Sequence, residues 1–280
     1  AFRSAWQEHP DRDQSWADTM RAQLGEERFR REMECEFIIF DETLINPLKL
    51  VEMAGIDPIE KQGQVRWYKK PTPGNIYVVG LDPSLGTGSD PAAIQVFEMP
   101  GLKQVAEWSH NKTIVQRQVV IMKEICQYLS DVAGVNNVYY SVENNTIGEA
   151  ALISIAEFGE ENIKGYFLSE PGMGGNRRYR KGFNTTNKTK ITACSKLKTL
   201  IESNKMKIRS RPLVSELKTF VRSGMSYAAK LGETDDLVMS SILAVRMMQV
   251  LQNFHPEMDK QLRDFGDTII APMPFISMRG

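Results

Sequence analysis

The chain has 280 residues, 41% hydrophobic and 25% charged, with 35 basic and 35 acidic side chains that give a formal net charge of zero. This predicts an ordinary soluble protein with one sizeable core plus an appendage. No apolar stretch approaches the roughly 18 residues a membrane span needs, and the N-terminus lacks the apolar core of a signal peptide, so residence in a cytosol, or in a host cytosol, is expected. Cys35, Cys126 and Cys194 are scattered, as are His9, His110 and His255. That pattern predicts free thiols and excludes a zinc cage, so any metal must be held by oxygen.

Residues 1–45 differ in character from the rest of the chain. Trp6, His9-Pro10-Asp11-Arg12-Asp13 and the amphipathic stretch 16–37 predict a loop and one helix with too little partner surface to fold alone, like the tail of another domain. The stretch 44–74 carries Pro47, Pro58, Pro71, Pro73, Gly55, Gly63 and Gly74 and reads as a linker with one short helix near 46–53. From Ile76 the pattern becomes α/β. Strands are expected at 76–82, 91–98 and 103–110, the last two joined at Pro100-Gly101, which makes an antiparallel meander. Apolar residues at 114, 115, 119, 121, 122, 125 and 129 predict a helix over 114–132. A strand at 137–143, a helix at about 147–157, a strand at 163–168 and a helix at 189–203 come next. A short strand at 206–208, a helix at 213–221, a strand near 225–230 and a core helix at 236–252 complete the pattern, and the proline-bearing tail 253–280 reads as irregular.

The chemistry lies in acids at the ends of these elements. Asp82 closes the apolar run Ile76-Tyr77-Val78-Val79-Gly80-Leu81 and opens into the glycine-rich Pro83-Ser84-Leu85-Gly86-Thr87-Gly88-Ser89-Asp90. Glu143 ends Val138-Tyr139-Tyr140-Ser141-Val142, and Asp235-Asp236 opens the last helix. Mg²⁺ and Mn²⁺ prefer oxygen ligands and keep several waters, so a phosphoryl-transfer site needs carboxylates converging from separate elements. Two such ions about 3.5–4 Å apart activate the attacking water and stabilise the leaving oxygen of a phosphodiester. Taken singly, Asp82 and Asp90 also read as turn formers, Glu143 as a cap of the following turn and Asp235 as a helix N-cap. Adjacent helix residues point about 100° apart, so Asp235 and Asp236 cannot serve one ion equally. Asp236 is the expected ligand, with Asp235 as cap or second-metal ligand.

The neutral net charge hides a basic region. Residues 172–222 hold fourteen Lys and Arg, among them Arg177, Arg178, Arg180, Lys181, Lys188 and Lys190, against only Glu202 and Glu216. Such a region reads either as a phosphate-backbone surface or as a solvated face without a partner.

Three antiparallel strands followed by alternating helix and strand is the order of a ribonuclease H-like fold: α/β, with a mixed sheet of five or more strands flanked by helices. Gly80-Leu81-Asp82-Pro83, Val142-Glu143-Asn144-Asn145, the run 182–190 (Gly182-Phe183-Asn184-Thr185-Thr186-Asn187-Lys188-Thr189-Lys190), Ser215-Glu216-Leu217-Lys218-Thr219-Phe220 and Asp235-Asp236-Leu237-Val238-Met239 together resemble the nuclease domain of the large terminase subunit of tailed bacteriophages, myovirus type. The segment from Trp6 to Phe37 resembles the end of the packaging ATPase domain that precedes that nuclease. No G-x-x-x-x-G-K-[ST] loop occurs, so this chain is not itself the ATPase motor.

The resemblance implies three parts: an ATPase-domain remnant plus linker (1–74), a nuclease domain (75–255) and a C-terminal extension (256–280). It implies metal-ligating, catalytic roles for Asp82, Glu143 and one or both of Asp235 and Asp236, with two Mg²⁺ or Mn²⁺ ions. The implied reaction is cleavage of concatemeric double-stranded viral DNA with little sequence preference when packaging starts and stops. Arg177, Arg178, Arg180, Lys181, Lys188 and Lys190 become the expected phosphate track. The implied partners are the packaging ATPase domain, the portal protein and the small terminase subunit, at the portal vertex of the procapsid in the host cytoplasm. A junction resolvase or transposase would share fold and metal chemistry, and a non-catalytic packaging scaffold would use the same acids only as caps. A sugar-kinase-like phosphotransferase would need a second Asp-x-Gly loop before the last helix, and Asp235-Asp236-Leu237 is not one.

Overall fold

Strands β1 (Glu60–Gln62), β2 (Val65–Trp67), β3 (Tyr77–Asp82), β4 (Ala92–Glu98), β5 (Lys103–His110), β6 (Val138–Val142) and β7 (Tyr166–Phe167) form one sheet in the order β1-β2-β5-β4-β3-β6-β7. The computed structural model describes residues 6, 9–25, 29, 33, 42–170 and 181–254. β1 to β5 pair antiparallel, and β3-β6 and β6-β7 pair parallel. The helices are α1 (Gln14–Leu24), α2 (Pro47–Glu52), α3 (Val115–Ala133), α4 (Gly148–Phe158), α5 (Asn187–Glu202), α6 (Arg211–Thr219) and α7 (Asp236–Phe254). A separate hairpin pairs β8 (Phe220–Ser223) with β9 (Ser226–Ala229). The seven-stranded mixed sheet covered by helices is the expected ribonuclease H-like architecture.

β3 and β4 are buried along their whole length because helices cover both faces, which is why they read as continuous apolar runs. Tyr77, Val79 and Leu81 pack with α3 and α4 on one face, in a cluster with Val119, Met122, Ile125 and Ala151. Val78, Ala93 and Phe97 pack on the other face with α5, α6 and α7. Helix α7 lies between the sheet and α5, so its apolar residues encircle it. Leu237, Val238, Ile242, Leu243, Val245, Met247 and Met248 are all buried, the core role expected for this helix.

Helix starts obey their caps. Thr186 and Thr189 form a reciprocal capping box, so α5 begins two residues before the expected 189. Ser210 accepts the Leu213 N–H at 3.0 Å with Pro212 in the first turn, which starts α6 at Arg211. The helix expected to reach 221 ends at Thr219, where Phe220 enters the hairpin. The strand expected at 163–168 shrinks to two paired residues, and 206–208 contributes only a single bridge from Lys207 to Lys103.

The stretch 44–74 departs most from expectation. Read as a linker with one short helix, it supplies that helix, α2, but also β1 and β2, and Leu44, Ile45, Leu50, Trp67 and Tyr68 are buried. Its prolines sit between these short elements or open α2. β1 is wholly exposed, so no apolar alternation announced it. Buried Glu107 on β5 ties β2 down. It accepts from Arg66 Nε at 2.9 Å and from the Tyr68 hydroxyl at 2.7 Å, and Gln95 and Gln104 reach it at 3.3 Å.

In the N-terminal part α1 is capped by Asp13, which accepts the Trp16 N–H at 2.8 Å, and Trp6, Ala17 and Phe29 form a small cluster of their own. Cys126 and Cys194 are buried free thiols. Among the described residues no helix is long and apolar enough to cross a membrane.

Helix α7 lies close against the sheet at Gly80. A Cβ there would lie 3.2 Å from the Ser240 carbonyl oxygen and 3.2 Å from Leu243 Cδ2. Gly80→Val should therefore destabilise the protein by about 1–3 kcal/mol through overpacking. Urea unfolding of the two proteins measures it.

Candidate active site at the strand ends

Side-chain alternation sets the site. Val78, Gly80 and Asp82 share the α7 face of β3, and Tyr139 and Ser141 of β6, with Glu143 just past its end, keep the same alternation, opposite Val138, Tyr140 and Val142. The parallel register places Leu81 beside Val142, and the Glu143 N–H donates to the Leu81 carbonyl at 2.9 Å. Asp82 and Glu143 therefore sit side by side, only 8% and 6% exposed. Because α7 crosses over Gly80, its N-terminal turn delivers Asp236 to the same place. Asp82, Glu143, Asp236, Asp90, Ser84, Thr87 and Asn145 line one cleft of about 430 Å³.

Neighbouring segments hold these positions. Gln118, buried on α3, donates to the Ser84 carbonyl at 2.7 Å and accepts the Ser84 N–H at 3.3 Å, fixing the turn after Asp82. Asn145 accepts the Gly148 N–H at 2.8 Å, so the chain turns into α4 directly after Glu143. The Phe183 N–H reaches the Val142 carbonyl at 3.2 Å and the Asn144 N–H reaches the Phe183 carbonyl at 2.8 Å. Gly182 is needed at that approach, since its φ is +78° and a Cβ would meet the Val142 oxygen at 2.6 Å. Arg246 of α7, almost fully buried, secures this loop through Thr185 Oγ1 at 3.1 Å, the Asn184 carbonyl at 3.0 Å and Glu170 at 2.8 Å.

The two adjacent acids part company. Asp236 lines the cleft, whereas Asp235 Oδ2 accepts the Ala229 N–H at 3.3 Å and lies 3.9 Å from Lys190 Nζ. Asp90, a turn residue by sequence, is exposed on the cleft wall. Of the expected basic track, Arg177, Arg178 and Arg180 lie outside the described residues. Lys181 pairs with Glu160, Lys188 is exposed, and Lys190 is largely covered between Asp235 and the Phe220 ring.

Crowding of acids in low dielectric opposes ionisation. Burial, then the charge of Glu143 and a hydrogen bond with it, then Asp236 and Asp235, hold Asp82 well above the usual carboxylate range. Burial followed by Asp235 and Asp90 pushes Asp236 up to about 7. Asp235 is also raised, by burial first, with Lys190 and the Ala229 N–H opposing. Glu216 of α6 is pushed up to about 8, chiefly by burial.

Sequence reading missed three residues that shape the site: Gln118, Arg246 and Glu216. Gln118 and Arg246 are polar residues on otherwise buried helix faces, a detectable signal. Glu216 was legible only as part of the run Ser215-Glu216-Leu217-Lys218-Thr219-Phe220, which gave it no role.

A family model described as the terminase RNaseH-like domain matches residues 79–248. The chain belongs to the terminase RNase H-like domain family. The crystal structure of the large terminase nuclease from thermophilic phage G20c with bound magnesium is similar at TM-score 0.55 and 19% identity, over 74% of this chain and 97% of that one. The cobalt-bound form of that nuclease gives 0.55 at 18% identity over the same shares. The Thermus phage P74-26 large terminase nuclease domain gives 0.51 at 20% identity, over 70% of this chain and 91% of that one. At these identities the likeness to the solved nucleases is one of fold.

The raised Asp236 has a definite pH consequence. Its folded pKa lies above the ordinary 3.8, so the stability it contributes is complete below 3.8 and is lost as pH rises through about 7. Without divalent metal, Asp236→Asn should gain on the native protein between pH 5 and pH 8, by on the order of 3 °C in Tm. Thermal melts in a chelating buffer at the two pH values check the sign.

Proposed function

We propose that this terminase-family domain is a metal-dependent endonuclease that cuts concatemeric double-stranded viral DNA, with little sequence preference, at initiation and termination of genome packaging. The observation that carries the reading is the convergence of Asp82, Glu143 and Asp236, from two strands and a helix, on one cleft.

The residues fit a divalent ion. Asp82, raised by burial and then by the charges of Glu143, Asp236 and Asp235, and Asp236, raised by burial and then by Asp235 and Asp90, form an acidic site that a cation would relieve. Among the described residues no group of three or more His, Cys, Asp or Glu side chains is placed to hold a metal ion. Mg²⁺ and Mn²⁺ need only one or two protein carboxylates, together with waters and substrate phosphates. Magnesium and cobalt are bound in the G20c large terminase nuclease, which supports the same class of ion here. Asp82, Glu143 and Asp236 would hold the metal, with Asp90 on the rim and Asp235 paired with Lys190. Two ions at such a site would supply an activated water and stabilise the leaving 3′ oxygen.

The chain's own groups orient and restrain. Gln118 fixes the turn beside Asp82, and the burial of Asp82 and Glu143 keeps bulk water from their inner oxygens. Lys188, exposed at the start of α5, would contact phosphate without reading bases, together with Arg177, Arg178, Arg180 and Lys181. Lys190 would act mainly by neutralising Asp235. The segment before the sheet, whose Trp6, Ala17 and Phe29 cluster separately, is assigned to the end of the packaging ATPase domain. The 75–255 stretch, joined by the strands at 60–67, would form the nuclease, and 256–280 would be an extension. The portal protein, the small terminase subunit and the procapsid portal vertex in the host cytoplasm complete the proposed setting.

Plasmid cleavage with Mg²⁺ or Mn²⁺ tests the reading. Asp82→Asn, Glu143→Gln and Asp236→Asn should each lower the rate at least about 100-fold, since metal catalysis is worth several kcal/mol. Asp235→Asn should lower it less. Equal cutting by native protein and all variants would sink the site assignment, and metal-indifferent protein without cutting would favour a scaffold. Lys188→Ala should weaken DNA binding evenly across sequences and reduce the salt slope by about 1.

A further inference from the structure

We propose that Glu216 is a positioning residue that fixes Asp236 in the cleft by capping, from helix α6, the first turn of helix α7. The inference rests on the metal-dependent nuclease reading of the cleft and assigns a group that reading does not use.

Asp235 occupies the N-cap position of α7, where its carbonyl accepts the Met239 N–H at 2.7 Å. An Asp there ordinarily turns its side chain onto an amide of the first turn. Asp235 does not, because its carboxylate is engaged by the Ala229 N–H and faces Lys190. Glu216 takes the vacant role. Its Oε2 accepts the Val238 N–H at 3.1 Å and its Oε1 accepts the Thr234 hydroxyl at 3.2 Å. A carboxylate at this end also suits the helix dipole.

The capping group comes from a rigid base. Gln104 of β5 accepts the Arg209 and Ser210 N–H groups at 2.7 and 2.8 Å, and Ser210 then caps α6. Leu213, Val214 and Leu217 bury the same helix. A chain of fixed contacts thus runs from the sheet through α6 to the turn that bears Asp236. If Glu216 is removed, the freed Val238 amide is one that an N-cap Asp ordinarily serves, and Asp235 can recap the helix only by leaving Ala229 and Lys190. That movement would turn the adjoining Asp236 away from Asp82 and Glu143 while the apolar packing of α7 persists.

The test is Mn²⁺ binding to the purified 280-residue chain, by calorimetry and by thermal shift, alongside plasmid cleavage. Glu216→Ala should weaken Mn²⁺ binding about tenfold, as loss of an outer partner does, and lower kcat about as much with KM for DNA unchanged. Glu216→Gln keeps an oxygen for Val238 and should stay within about threefold of native, since only an acceptor is required. In an Asp236→Asn background, Glu216→Ala should weaken Mn²⁺ binding no further, because the two act through one path. If Glu216→Ala does not fold, Glu216→Asp, which withdraws the oxygen by one methylene, is read in its place. Native-like binding by Glu216→Ala, a full additional loss in the Asp236→Asn background, or failure of Glu216→Gln to rescue would overturn the proposal. Absence of Mn²⁺ binding by the native chain would overturn the reading of the cleft and this inference together.

Discussion

Carboxylates packed side by side at the end of a buried sheet are the constraint around which this molecule is arranged. Two like charges about 4 Å apart repel by about 4 kcal/mol even at an effective dielectric near 20. A whole domain is stable by only about 5–15 kcal/mol. Asp82 and Glu143 are nearly fully buried, and Asp236 joins them from a third element. Such an arrangement persists without a cation only if protons reduce the charge and if the surrounding packing leaves the side chains no escape. The raised pKa values of Asp82 and Asp236 express the first condition.

The second condition is met by the sheet and by α7. Helices on both faces hold β3 and β4 in a dry layer, and the absence of a side chain at Gly80 lets α7 lie close against the strand. The N-terminus of α7 then overhangs the ends of β3 and β6. Polar devices fix what apolar packing leaves loose: Gln118 for the turn after Asp82, Arg246 for the loop beside Glu143, and the Glu107–Gln104 network for β2 and the start of α6. Each is a buried polar group with its partners in place, the condition under which such groups specify one geometry.

Asp235 and Asp236 show how little sequence adjacency says about shared work. One faces the cleft, and the other faces Lys190 and the β9 backbone. Their separation comes from helix geometry, which turns successive side chains by about 100°. The covered position of Lys190 has the same origin: it belongs to the charge balance of Asp235 more than to an open basic surface.

The periodicity of the chain by itself determined most of the elements. The apolar runs 76–82 and 91–98 are strands because they are buried on both faces, and the stripe over 114–132 is a helix because one face packs on the sheet. Each acid taken singly reads as a turn former or cap, and it was their order, strand Asp, strand Glu and helix Asp, that made them legible as a constellation. Tertiary structure alone decided that 44–74 builds sheet and core, since β1 carries no apolar alternation and β2 is only three residues long. It alone set Asp235 against Lys190 and the Ala229 amide, and Glu216 against the amide of Val238. Those outcomes depend on contacts between residues far apart in the chain, and neither periodicity nor spacing encodes which distant group will arrive.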